Sequence, residues 1–421
     1  PPESAFSALR SADPYPIYAR LRERAPIQRT TLPDGRQGWS VMSYEGVQAV
    51  LKDPRFGKDA RRLEAGGRFM RLLMERRPFR HITQGIIRLD PPDHTRLRAL
   101  IVKAFTPRRV ERLAPQIQAM ADDLIDAGMR RGSMDLIADY ATPLSVGVIA
   151  EMLGIPAADR PRLVGWSHTL LKLSGETVFG VDTSLKGLLG FARRLTVGGR
   201  GQPSALRTMF AFSAYLKRLI AARRASPGDD LVSALIEAKE QDDALNDDEL
   251  LSMLLILFIA GHETTVHLIG NGTLALLLHP EQRQRLRDDP ALIKSAVEEF
   301  LRYDGPVMSL PRYAMDDIDL KGHAIRKGDI VMVVLAAANH DPAYASCPHQ
   351  LDITRSAGQH LAMGAGIHYC VGAGLGRLEG QIAIGALLRR LPNLALAVVP
   401  ESLQWQTGRL QRGLLSLPVR F

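Results

Sequence analysis

The chain has 421 residues, 46% of them hydrophobic and 24% charged, with 54 Lys and Arg against 45 Asp and Glu for a formal charge of +9. That is enough chain to bury a large core, and too evenly mixed to be disordered or fibrous. Two cysteines exclude a disulfide framework and point to a reducing compartment such as the cytoplasm, while 6% aromatics and the absence of zinc-finger spacings argue against a nucleic-acid partner.

The N-terminal stretch, PPESAFSALRSADPYP, has neither the basic start nor the apolar run of a signal peptide, and it lacks a methionine, as a trimmed chain would. Apolar residues at three and four spacings then predict helices over Pro16–Arg24, Tyr44–Leu51, Pro92–Phe105, Pro107–Met129, Pro143–Leu153, Ser204–Arg224 and Leu231–Lys239. Strand-like runs are few: Gly38–Ser43, Ile330–Leu335 and Leu394–Val399. No repeat or long Gly/Ser linker marks a boundary, so residues 1–421 are expected to form a single, mainly α domain with a minor β region. The charge is uneven. Arg55–Arg88 carries ten basic and three acidic residues, and Lys186–Arg224 nine basic and none acidic. Alone, such runs read as solvated helical faces.

The longest predicted helix starts at Asn246, a capping residue with Glu249 three positions on, and ends at His279-Pro280. Its first half, Leu250–Gly261, is apolar on every side, so it is surrounded by protein or lipid. A bilayer needs about 20 unbroken apolar residues, and this run stops at His262-Glu263, so no membrane span is expected. A core helix therefore carries Gly261-His262-Glu263-Thr264-Thr265 at its middle. A zinc-protease helix would need histidines four apart, whereas His262 and His267 are five apart, ~140° around the helix. What remains is a structural polar kink, or an acid and alcohol pair that handles protons. Thr264 is expected to bond back to the carbonyl of Ala260 and open the helix locally.

The second signal is HLAMGAGIHYCVGAGLGR, His360 to Arg377. Gly364 and Gly366 allow a tight loop, and Cys370 precedes a helix expected from about Val371 to Leu391, where backbone N–H groups would depress the thiol pKa. Gly372, Gly374 and Gly376 lack the spacing and the leading strand of a dinucleotide site. Cys347, in an irregular Ser-Cys-Pro loop, reads as an ordinary small side chain. A third signal, Glu299-x-x-Arg302, is weak alone, since such helical pairs contribute only about 0.2–0.5 kcal/mol.

In this order and at these separations, Ala260-Gly261-His262-Glu263-Thr264-Thr265, Glu299-x-x-Arg302 and Gly364-x-Gly366-x-His368-x-Cys370-x-Gly372 closely resemble the cytochrome P-450 family, soluble bacterial type. The similarity extends to Asp13-Pro-Tyr-Pro, to Asp90-Pro-Pro-Asp93-His94-Thr-Arg96-Leu-Arg98 with Phe105-Thr-Pro107, to Pro227-Gly-Asp-Asp-Leu231 and to Asn339-His-Asp-Pro342. It covers essentially the whole chain. The resemblance implies the single-domain P-450 fold, with haem b (iron-protoporphyrin IX) between the long central helix and the cysteine-loop helix.

By the same resemblance Cys370 would be the thiolate ligand to iron, and Ala260 and Gly372 would line the cofactor. His94, Arg98, Arg312 and His368 match the positions that pair with the haem propionates. Glu299 and Arg302, with Arg355, match the structural triad behind the cysteine loop. Glu263 and Thr264 match the pair that assists proton delivery to bound dioxygen, which favours O2 with two electrons over direct use of peroxide.

No fused reductase, iron–sulfur or NAD(P)H-binding module is visible, so electrons would come indirectly from NAD(P)H through a ferredoxin and its reductase supplied in trans. Arg96, Lys103, Arg108 and Arg109 are expected docking charges, on a chain expected to be monomeric. Met363 and Leu351 stand where the family usually has Phe. The pocket walls would fall in 55–88, 166–212, 253–264, 307–310 and 405–412, and their side chains predict a mainly apolar substrate such as a fatty acid, terpenoid, steroid or polyketide. The two basic segments would border the entrance and favour an anionic amphiphile. The competing readings are a peroxide-driven oxygenase and a non-catalytic haem sensor.

Overall fold

The structure, a computed structural model, describes residues 4–32, 35–59, 85–166, 169, 196, 204–240, 245–356, 358–406 and 410–421. Most of the first basic segment, part of the second (186–195 and 197–203), and most of the pocket walls assigned to 55–88 and 166–212 lie outside the described residues.

The helices that concern the site are α1 (Tyr15–Arg24), α2 (Tyr44–Lys52), α3 (Asp93–Ala104), α4 (Pro107–Glu111), α5 (Ala114–Met129), α6 (Thr142–Met152), α7 (Ala205–Ala225), α8 (Leu231–Glu240), α9 (Asp247–Leu278), α10 (Ile293–Asp304) and α11 (Ala373–Arg390). The strands are β1 (Ile27–Thr31), β2 (Gln37–Val41), β3 (Phe56–Gly57), β4 (Ser133–Asp135), β5 (Leu310–Ala314), β6 (Ile318–Leu320), β7 (His323–Ile325), β8 (Ile330–Val333), β9 (Ala395–Leu396) and β10 (Pro418–Arg420). A five-stranded sheet runs β1-β2-β8-β5-β3, antiparallel except for the β2/β8 pair, beside a small β4-β10-β9 sheet and a β6-β7 hairpin. In it Gly57 of β3 faces Tyr313 of β5, and Arg312 faces Val331 of β8.

The helix predicted over Pro107–Met129 is two helices. α4 ends at Glu111, and Pro115 occupies the first turn of α5, where its missing N–H costs nothing and its ring excludes a preceding turn. β1, with the polar sequence IQRTT, and β5, which contains Pro311, have no counterpart among the predicted strands. The strand expected over Leu394–Val399 shortens to β9.

α9 is the centre of the molecule and packs on α6, α7, α10 and α11. Asn246 accepts from the Glu249 N–H and the Glu249 carboxylate accepts from the Asn246 N–H, the capping box that the sequence predicts. Leu254, Leu255, Leu257 and Phe258 are buried, each contributing roughly 1.5–3 kcal/mol. At Gly272 three helices converge: a Cβ there would lie 2.9 Å from Phe300 of α10 and 3.0 Å from Ile384 of α11. The helix is continuous from Asp247 to Leu278, so the local opening expected at Thr264 does not occur.

Candidate active site

Between Leu250 and Leu276 every residue of α9 is buried except Ile256, Ile259, Ala260, Gly261 and Thr264. Those five lie along one stripe, at helical spacing, on a helix otherwise wrapped by protein. The Thr264 hydroxyl donates to the Ala260 carbonyl at 2.9 Å, and the Thr265 hydroxyl to that of Gly261 at 3.2 Å. Behind the stripe, the buried Glu263 carboxylate lies 4.0 Å from His267 Nε2, one turn on. His262 points elsewhere, its Nδ1 2.8 Å from the Phe258 carbonyl.

The cysteine loop follows from its glycines. Gly364 and Gly366 have φ of +75° and +71°, left-handed values that a side chain strains. A Cβ on Gly366 would also lie 2.4 Å from the Leu51 carbonyl oxygen, so the loop is pressed against the end of α2. The Cys370 N–H donates to Met363 O at 2.9 Å, and the side chain is exposed. The expected drop in thiol pKa is not found. α11 begins only at Ala373, and although Cys370 keeps an exposed surface, the protein atoms crowded around its sulfur strip enough water to push the thiol up, against the Gly372 N–H and the charges of Arg98 and Arg377. A coordinated metal ion would reverse this, since it deprotonates a thiol outright.

Two adjacent acids of α10 hold two different segments, Glu299 the stretch around residues 346–352 and Glu298 the cysteine loop. The Glu299 carboxylate accepts from Arg302 at 2.7 and 2.8 Å and from Arg355 at 3.2 and 3.3 Å. Arg302 also donates to the carbonyls of Pro348, Asn339 and Gln350. Both members of the inner pair are almost fully buried, so removing either leaves an uncompensated charge. Glu298 faces the loop itself. It accepts from Arg377 Nε and Nη2 at 2.6 and 2.9 Å and from His360 Nε2 at 3.1 Å, while Arg377 Nη1 donates to the hydroxyl of Tyr369, next to Cys370. His360 Nδ1 accepts the Ala362 N–H, so its Nε2 carries the proton.

The rings of His94 (α3) and His368 (cysteine loop) lie 4.2 Å apart. Burial lowers both pKa values, helped by Arg98 and Lys58 at His94 and by Lys58, His94 and Arg312 at His368, which falls to about 2. Arg312, also almost fully buried, is lowered to about 10 by the same loss of water. Two further cations join them, Lys58 and Arg88, both lowered chiefly by burial. His94 Nδ1 and His368 Nε2 are buried with no hydrogen-bond partner among the described residues. A cluster of cations with orphaned imidazole nitrogens, beside an accessible thiol, fits a flat ligand carrying two carboxylates and a metal.

The cytochrome P450 family profile matches residues 205–396. The P450 monooxygenase PikC of Streptomyces venezuelae is 43% identical over 98% of this chain and 92% of its own length. The chain belongs to the cytochrome P450 family. Among solved P450 structures, P450BioI in complex with acyl carrier protein ligated by hexadec-9Z-enoic acid superposes with a TM-score of 0.84 at 37% identity, covering 99% of this chain and all of that one. The myxobacterial P450 CYP267B1 in complex with myristic acid does so with 0.85 at 40%, covering 97% and 96%. The protein is accordingly a P450 monooxygenase, and haem with cysteine-thiolate ligation is its cofactor.

Within that fold the structure brings Cys370, Gly372, His368, His94, Arg98 and Arg312 into one electrostatic neighbourhood and places Ala260 and Thr264 on the accessible stripe. Of the expected docking charges, Arg96 pairs with Glu249, and Arg109 lies 3.6 Å from Asp229 and donates to Ala104 O. Sequence reasoning missed Lys58, Arg88, Glu298 and Arg377. Lys58 and Arg88 were visible only as members of the basic segment Arg55–Arg88, and Arg377 only as the end of the cysteine stretch, seven residues after Cys370 on α11.

Proposed function

We propose that Cys370 is the proximal ligand of the haem iron, that His94, Arg98, Arg312 and His368 hold its two propionates, and that Ala260 and Gly372 line its faces. The observation that carries this is the orphaned pair of imidazole nitrogens among cations, beside the exposed Cys370. Haem supplies the electron uptake and dioxygen activation; the chain supplies position, dryness and protons. Glu299, Arg302 and Arg355 fix the stretch around residues 346–352 and, through the Arg302 bond to its carbonyl, Asn339, whose side chain accepts the Leu361 N–H at the start of the cysteine loop. Glu263 supplies a carboxyl group for proton relay beside Thr264, and Thr264 Oγ1, parked on the Ala260 carbonyl, turns to deliver a proton on the accessible side.

The stripe Ile256, Ile259, Ala260 is apolar, and so are Val307 and Leu310, just before and at the start of β5, which supports a hydrophobic substrate. The bound fatty-acyl groups of P450BioI and CYP267B1 favour a fatty acid or a carrier-bound acyl chain as its class. Two electrons are proposed to come from a ferredoxin and its reductase, as the Glu263 and Thr264 pair supports. A groove of about 430 Å³ lined by Lys103, Thr106, Arg108, Arg109 and Arg112 is a basic surface for an acidic donor.

The reduced protein with carbon monoxide tests the ligand assignment. The strongly red-shifted thiolate band is expected, and Cys370→Ala abolishes it; a band that survives refutes the assignment. Turnover of a long-chain fatty acid with a reduced ferredoxin system is expected to exceed turnover with peroxide, and the reverse would favour the peroxide reading.

A further inference from the structure

Lys58 stands where a cation needs a reason to be. It follows Gly57 directly off β3, the strand paired with the one that carries Arg312. Its backbone is pinned: the N–H groups of Lys58 and Asp59 donate to the two carboxylate oxygens of Asp90 at 2.8 and 3.1 Å. A Cβ on Gly57 would lie 2.5 Å from that carboxylate, so strand and acid are already in contact. The Lys58 side chain acts electrostatically on His94 and His368 and is itself repelled by Arg312 and Arg88. Asp90 is the one described acid that attracts it, and both Asp90 oxygens already accept backbone N–H groups. Burial, with Arg312 and Arg88, holds the ammonium well below the ordinary lysine range.

Like charges converging in a partly dry site are costly unless an anion joins them. His94, Arg98, Arg312 and His368 are assigned to two carboxylates, and Lys58, one residue past the Gly57–Tyr313 pair, comes off the strand beside the one that carries Arg312. We propose that Lys58 is a fifth anchor for the haem, its ammonium donating to a propionate carboxylate. This rests on the propionate roles proposed above for Arg312 and His368. A lysine suits the part because its point charge on a flexible stem can follow one oxygen, whereas an arginine fork demands two.

The test compares holoenzymes, each first shown to give the thiolate carbon monoxide band. Transfer of haem to excess apomyoglobin is expected to be roughly tenfold faster for Lys58→Met, the loss of one charge-assisted hydrogen bond, and within about threefold of wild type for Lys58→Arg. In protein reconstituted with haem dimethyl ester, which has no propionate charge, Lys58→Met should lose haem at the wild-type rate. An unchanged rate with normal haem overturns the proposal, as does an effect that persists with the diester. Fatty-acid binding weakened relative to the methyl ester, with haem loss unchanged, also overturns it and assigns the ammonium to the substrate carboxylate. Arg312→Gln in the same assay reports on the underlying assignment separately: faster loss there with none in Lys58→Met leaves the propionate reading standing and removes Lys58 from it.

Discussion

Thr264 shows what one side chain can do on a buried helix. Its hydroxyl caps a carbonyl one turn back without breaking the helix, which keeps the oxygen ordered at the accessible stripe while its lone pairs stay open to that side. Thr264→Ala removes the hydroxyl proposed to carry the proton but no packing of consequence. Substrate-induced spectral shifts are expected to stay within about twofold of wild type, while the fraction of NADPH electrons appearing in product falls roughly tenfold and hydrogen peroxide rises in its place, within the range of a lost general-acid contribution. Unchanged coupling would remove Thr264 from the proton path. Cys370 and Thr264 stand out in the sequence because the signal of each is local: a Gly-flanked Cys before a helix, and a polar break in an apolar run. Lys58 and Arg88 do not, because they matter only through the approach of β3 to β5 and of Asp90 to both, and no spacing in the chain encodes that approach.

At the scale of elements, α10 decides how the cysteine loop sits. Consecutive carboxylates, Glu298 and Glu299, face opposite sides of it, one toward the loop and α11 and the other toward the segment around Asp352. The Glu299 pair was visible as a motif, whereas Glu298 looked like one more surface acid until Arg377 and His360 closed on it. The Glu298 carboxyl, raised by burial but lowered more by hydrogen bonds from His360 and Arg377, ends at about 2. A carboxyl depressed in the folded state stabilises it above the unfolded pKa of about 4.3, and that stability is lost as pH falls toward 2. Glu298→Gln should therefore cost of order 2–3 kcal/mol at pH 7, read as a lower denaturant midpoint and a larger share of non-thiolate carbon monoxide complex. The gap to wild type should narrow below about pH 4.5; a gap constant with pH would mean that the carboxylate charge is idle. Gly366→Ala tests the same loop through its backbone. The left-handed φ and the Leu51 carbonyl together should cost about 1–3 kcal/mol and speed loss of the thiolate band, whereas Gly374→Ala, which meets nothing within 4 Å, should not. The divided helix at Pro115 and the overlooked strand at Pro311 share a cause: a proline's consequence depends on which neighbour its missing N–H faces, and that is settled by packing.

For the whole molecule, the surplus of +9 is not one solvated coat. Some of it is paired or drawn inward: Arg223 pairs with the buried Asp230 and Arg224, at the surface, with Asp247, while Lys58 joins the cations around His368 and has Arg88 beside it. An acidic substrate approaching such a molecule is attracted over about one Debye length, roughly 8 Å at physiological salt and 3 Å at 1 M. A fatty acid and its methyl ester have nearly the same apolar area, so their difference in affinity isolates the charge. Measured by the substrate-induced shift of the haem spectrum, the acid is expected to bind roughly tenfold more tightly than the ester at about 20 mM salt, and the ratio to shrink to about threefold or less near 1 M as screening removes the long-range share. A ratio that is large but independent of salt would point instead to one buried cation contacting the carboxylate, since buried pairs are screened far less. Equal binding of acid and ester at both salt concentrations would return the basic segments to the role of solvated surface.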